Sequence, residues 1–166
     1  MEKELPKRKP NRLENFDYGA GYSYFITICT QNRTHYFWNA VGASIARPQE
    51  VQLSSFGKIV DEAINNISKV YSCVSVDYYV VMPNHVHLLL TIFDTDENGR
   101  PMVAPTLSRI VSQMKGYASK KIGKPIWQKL FHDHVIRNKQ DYEEISKYIY
   151  ENPLNWEEDE FYDKTV

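Results

Sequence analysis

At 166 residues, with 20 Lys+Arg against 21 Asp+Glu, the chain has the length of one ordinary domain around a single core. A hydrophobic content of 42%, a charged content of 25% and only 7 Gly and 8 Pro exclude a disordered or collagen-like chain. Two cysteines, Cys29 and Cys73, with no Cys-x-x-Cys pair, exclude a disulfide framework and a cysteine zinc site, so a reducing cytoplasm is the expected compartment. The longest apolar run falls short of the roughly 18 to 20 residues of a membrane helix, and no apolar segment follows the charged N-terminus. Neither membrane insertion nor secretion is expected. The near-zero net charge conceals a polarised chain: residues 101–139 carry eight basic and one acidic side chain, whereas 141–163 carry nine acidic and one basic.

Residues 1–15 combine Lys3, Lys7, Arg8, Lys9 and Arg12 with two prolines and read as a basic arm. The stretch YSYFITICT at 22–30 is rich in β-branched and aromatic residues and predicts a strand. Residues 38–54 show no sustained period and contain Gly42 and Pro48, so an irregular excursion is expected there. Ser55 then caps a helix in which Ile59, Val60, Ala63, Ile64 and Ile67 recur at helical spacing. A strand over 73–82, a Pro-Asn turn and a strand over 85–93 form a hairpin-like pair. Beyond Pro105, Leu107, Ile110, Val111, Met114 and Ala118 make the apolar stripe of a basic helix. A fourth strand is expected near 129–137, then an acidic helix from 141 to about 152, ended by Pro153. The order strand, helix, strand, strand, helix, strand is the split βαβ pattern of an α+β, ferredoxin-like antiparallel sheet, followed by one additional C-terminal helix. The division reads as an arm (1–15), one domain (16–155) and an acidic C-terminal tail (156–166).

His85 and His87 are separated by one residue in an apolar strand. Strand side chains alternate, so both rings project from one face, while Val86, Leu88 and Leu90 project from the other. Two metal-capable nitrogens then lie side by side, although hydrogen-bonded sheet histidines beside a turn have the same pattern. In the acidic helix, Tyr148 and Asn152 are four apart and share a face, next to an apolar stripe of Tyr142, Ile145 and Ile149. Tyr150 points away. A packing tyrosine and a helix-end asparagine are the other reading of that pair.

The segments MPNHVHLLL, WQKLFHDHVIR and YIYENP, in this order and spacing, resemble the REP-associated tyrosine transposases, members of the single-tyrosine HUH transposases that act on single-stranded DNA. RLENFDYGAGYSYFITICTQNR is similar to that family's opening, so the likeness runs from about residue 8 to 155. The resemblance implies a ferredoxin-like fold, a divalent metal (Mg²⁺ or Mn²⁺) held by His85 and His87, and Tyr148 as nucleophile on the helix after the last strand. It implies Asn152 as third ligand, a position that varies among HUH proteins. The implied reaction nicks and rejoins DNA at hairpin or palindromic repeats through a 5′-phosphotyrosine, with a monomer or homodimer as the acting unit.

DNA binding needs positive charge and stacking faces. Lys7, Arg8, Lys9, Arg12, Arg109, Lys115, Lys120, Lys121 and Arg137 are the candidates for charge, and Trp127 for stacking, with Tyr22, Tyr24, Tyr36, Phe37 and Trp38 beside it. His132 and His134 repeat the His-x-His pattern on the fourth strand and stand as a backup metal candidate. Two other functions compete: a non-catalytic or domesticated nucleic-acid binding module, which needs neither Tyr148 nor a metal, and a metal-dependent phosphodiester hydrolase, which leaves no covalent adduct.

Overall fold

A strand buried at six consecutive positions needs cover on both faces, and His85–Ile92 (β3) has it. The computed structural model describes residues 22–39, 52–94, 98 and 103–162. The basic arm, with Lys7, Arg8, Lys9 and Arg12, and most of the 38–54 excursion lie outside the described residues. β3 pairs antiparallel with Tyr22–Cys29 (β1) on one side and with Val74–Val81 (β2) on the other, and His132–Val135 (β4) completes the order β2-β3-β1-β4. That is the ferredoxin-like order expected for a split βαβ unit.

On one face Val86, Leu88 and Leu90 meet the apolar stripes of Ser55–Asn65 (α1) and Leu107–Ile122 (α3), forming the main core. A one-turn helix, Ile67–Val70 (α2), leads from α1 into β2. The cap of α1 is Ser54, one residue before the predicted Ser55: its hydroxyl accepts the Gly57 N–H. Gly57 is required here, because a Cβ would fall 2.2 Å from the Phe37 carbonyl oxygen. Thr106 caps α3 and Gly123, in the left-handed region, ends it.

The other face is covered by Lys139–Glu151 (α4), whose Ile149 packs on Leu89 and Ile136. Asn138 caps α4 by accepting the Asp141 N–H. β4 is four residues long, shorter than the predicted 129–137. Just ahead of it the Lys115 ammonium donates to the carbonyls of Gln128 (2.6 Å) and Lys129 (3.3 Å). Pro153 does not stop the chain from coiling; Asn152–Glu158 tightens into a 3₁₀ turn. The segment expected as an acidic tail folds back, with Trp156 and Phe161 buried. No described helix is long and apolar enough to cross a membrane.

A candidate metal and tyrosine site on the α4 face

Sheet register places the site. His87 stands opposite Val80 on β2 and Thr27 on β1, and His85 opposite Cys29, so both rings lie on the α4 face as their spacing requires. The turn before them sets the first tautomer. The Asn84 amide donates to the Phe161 carbonyl at 2.9 Å, which leaves its Oδ1 facing His85 Nδ1 at 2.8 Å. An amide oxygen only accepts, so Nδ1 of His85 carries the proton and Nε2 presents a lone pair. His87 Nδ1 lies 2.9 Å from the Thr27 hydroxyl, which can donate or accept, and its Nε2 lies 3.1 Å from that of His85. When Thr27 accepts, two lone pairs converge.

Burial drives both imidazoles down to about 3, with the Arg33 charge adding to the effect on His85 and the His85 charge to that on His87. Both are therefore neutral at pH 7. Asp159 completes a cluster: His85, His87 and Asp159 bring one ligand atom each within 4.8 Å of one another. Asn152, at the end of α4, donates its Nδ2 to Asp159 Oδ2 at 3.0 Å, while its Oδ1 is buried without a hydrogen-bond partner. Two neutral imidazoles, a carboxylate and an orphaned amide oxygen fit a divalent cation. The 3.1 Å between the nitrogens suits neighbouring ligands at metal bonds of roughly 2.1 Å.

Tyr148 reaches the same place from α4. Its hydroxyl lies 3.4 Å from His87 Nε2, and its ring contacts Phe25 and His87 edge-on. The phenol is 41% exposed, so it has one side on the cluster and one on solvent. Its pKa is raised, first by burial and then by the Asp159 charge, against a lowering hydrogen bond from Asn152. Phe161 packs on His85 at 4.6 Å between ring centroids, Trp156 at 6.0 Å, and Arg33 stacks over Phe161 while donating to the Glu160 carbonyl. His85 and His87 are 0% and 1% exposed, and Phe161 is part of their cover. Phe161→Ala is expected to speed Mn²⁺ uptake, read as the rate of loss of the free-ion EPR signal on mixing.

The structure thus brings together His85, His87, Tyr148 and Asn152. Tyr150, 80% exposed, points away, and Tyr142 lies over β2. Arg109, Lys115, Lys120 and Lys121 ride on α3, on the opposite side of the sheet from the histidines. Lys115 is engaged with two backbone carbonyls, and Lys121 is paired with Glu62. Trp127 is 9% exposed and packs on Phe37 in the main core, so its ring offers no stacking face to a base; Tyr24 and Phe37 are buried there too. Arg137 is exposed at the start of α4. His132 and His134 are exposed on β4; His134 pairs with Asp141, and neither joins a metal-ligating cluster among the described residues. Sequence reasoning missed Asp159, Arg33, Thr27 and Asn84. The last was signalled only by its place in the turn before His85.

An antiparallel α+β sheet with a same-face histidine pair, and a tyrosine from the helix after the last strand, defines the class that the sequence resembles. No family profile matches the chain. It is 28% identical over 173 residues to an uncharacterised protein of Haemophilus influenzae, covering 93% of each chain. It is 32% identical over 80 residues to the REP-associated tyrosine transposase of Escherichia coli, a stretch that spans 48% of this chain and 44% of that one. A solved REP-associated tyrosine transposase bound to a REP hairpin superposes with a TM-score of 0.60 at 23% identity, covering 87% of this chain and 74% of the other. The chain thus has homologues named REP-associated tyrosine transposase and shares their fold.

Proposed function

We infer that this chain is a metal-dependent transposase that nicks and rejoins single-stranded DNA at hairpin or palindromic repeats, with Tyr148 as nucleophile. The observation that carries the reading is the Tyr148 hydroxyl 3.4 Å from His87 Nε2, beside a pair of imidazole nitrogens 3.1 Å apart. The named homologues and the hairpin-bound structure of the same fold support it. His85, His87 and Asp159 would hold the cation, with Asn152 Oδ1 as a further ligand. A cation held there would supply Lewis-acid withdrawal of charge from a phosphate oxygen, and two imidazoles suit Mn²⁺ better than Mg²⁺.

Tyr148 attacks phosphorus through its phenolic oxygen. The bond from phosphorus to the 3′ oxygen breaks, that oxygen takes up a proton, and the products are a 5′-phosphotyrosine and a free 3′-OH. Attack by another 3′-OH reverses the step and joins strands without ATP. Burial first and the Asp159 charge second hold the Tyr148 phenol above its ordinary pKa, against a hydrogen bond from Asn152 that lowers it. Phe25 and Asn152 hold the Tyr148 ring and hydroxyl over His87.

A nicking assay tests the reading. Labelled single-stranded hairpin DNA from the flanks of the gene, with Mn²⁺, should yield a shortened free strand and a denaturant-resistant protein–DNA band; EDTA should remove both. Cleavage without the band would assign a hydrolase instead. On the basic helix, Lys120→Ala should lower the salt slope of hairpin binding by about 0.7, the value for one neutralised phosphate on a single strand. Lys121→Ala should lower it less, because Glu62 already compensates that ammonium. Equal slopes for Lys120→Ala and wild type would make Lys120 plain solvated surface.

A further inference from the structure

Strand β1 runs out into a turn with an unusual backbone. The Thr34 N–H donates to the Gln31 carbonyl at 3.3 Å, and the two residues between them, Asn32 and Arg33, have φ of 55° and 53°. Two left-handed residues closed by that bond have the form of a type I′ turn, where Asn is ordinary at the first position and Gly at the second. Asn32 fits that rule. Arg33 does not, because in the left-handed region its Cβ crowds the carbonyl that follows. The frame around the turn is firm: Thr30 donates its N–H to the Asn84 carbonyl and its hydroxyl to the Thr34 carbonyl, both at 2.8 Å, and Gln31 donates to the Ile126 carbonyl at 2.8 Å. The surroundings thus impose a conformation that an arginine disfavours, and the side chain is what the position gains in return.

That side chain reaches the cover of the histidines. Arg33 Cζ lies 5.0 Å from the Phe161 ring centroid, and the same ring packs on His85 at 4.6 Å and on His87 at 6.1 Å. A guanidinium has several N–H donors in a planar fork. Among the described residues Arg33 uses Nη1 alone, in a long bond of 3.3 Å to the Glu160 carbonyl, and forms no ion pair with a carboxylate. The neighbouring Asp159 carboxylate is taken by the Asn152 amide at 3.0 Å and the Phe161 N–H at 2.7 Å. Arg33 is exposed. The basic residues of α3 ride on the opposite side of the sheet, and on α4 Lys139 and Lys147 pair with Glu143 and Glu151.

We propose that Arg33 is a phosphate-binding residue: its guanidinium grips the non-bridging oxygens of a phosphodiester in the strand to be cut, and so lays the DNA backbone across Phe161 at the rim of the histidine cluster. The consequence for cleavage rests on the nucleophile reading above; the phosphate contact does not. A guanidinium suits the task because its fork matches two phosphate oxygens, whereas an ammonium is a point charge. Arg33→Gly separates the side chain from the turn, since glycine is the residue that a left-handed position favours.

The test uses the labelled hairpin DNA and Mn²⁺ of the nicking assay. In Arg33→Gly the Tm should rise or stay within about 3 °C of wild type. The salt slope of DNA binding should fall by about 0.7, the value for one phosphate on a single strand. Single-turnover adduct formation should fall about tenfold or more, as misplacement of the reacting phosphate demands. Mn²⁺ affinity, titrated without DNA, should not fall, because a positive charge leaves the neighbourhood of the ion. Arg33→Lys should restore the slope and leave the rate low. A salt slope in Arg33→Gly equal to wild type would overturn the proposal. So would a Tm lowered by more than about 5 °C together with weaker Mn²⁺ binding, which marks Arg33 as a strut of the cover. If the wild type forms no adduct while the slope still drops in Arg33→Gly, the nucleophile reading falls and the phosphate contact stands.

Discussion

Tyr148→Phe is expected to form no denaturant-resistant protein–DNA band in Mn²⁺, while the protein folds and binds hairpin DNA as before. The ring keeps its edge contacts with Phe25 and His87, and the lost hydroxyl makes a long contact of 3.4 Å on a side chain that is 41% exposed. Stability should therefore change by less than about 1 kcal/mol. Activity should fall on the order of 10⁴-fold or more, as when an attacking atom is deleted and its helpers have nothing to act on. Tyr150→Phe should still form the band, since that phenol lies about 200° round the helix and is 80% exposed. In the wild type the rate should climb with pH, because the phenol's pKa is raised and only the phenolate attacks. A band from Tyr148→Phe would sink the assignment, and its loss in Tyr150→Phe alone would move it to that residue.

The period of two in HVHLLL was sufficient to put both histidines on one face and Val86, Leu88 and Leu90 on the other, and the sheet order follows from the succession of elements. What the period did not carry is the cover over the histidines. It comes from the segment around Trp156 and Phe161, whose acidic composition reads as solvated tail; two aromatics inside that run were the available signal. Asp159 joins the cluster across the 3₁₀ turn, at no spacing that a helix or strand prescribes. Asn152 was legible because a four-residue step from Tyr148 is a helical step. The basic helix was legible as basic, but clustering of charge along a chain does not say which side of a sheet a helix covers. Trp127 shows the same limit for aromatics: its ring serves the core against Phe37.

His87→Ala is expected to abolish cleavage and to lower Mn²⁺ affinity by more than the roughly 10–100-fold that follows loss of an outer hydrogen-bond partner. Thr27→Val removes such a partner, the hydroxyl 2.9 Å from His87 Nδ1, and should give an intermediate loss. Hairpin binding in both should stay within a few-fold, since Lys and Arg on phosphates supply most of the affinity. Deleting a buried ring also leaves a cavity, at about 2–3 kcal/mol, so metal affinity is best read by titration at a temperature where each variant is folded. The pH dependence gives an independent check. Native His85 and His87 stay neutral down to about 3, whereas the unfolded chain takes up protons from about pH 6.5. The unfolded state thus binds more protons throughout that window, and stability falls as pH drops from about 6.5 towards 3. His87→Ala removes one of the two groups and should make that decline shallower. An unchanged pH slope would place His87 in contact with solvent, and cleavage by the wild type that persists in EDTA would remove the metal from the reaction altogether.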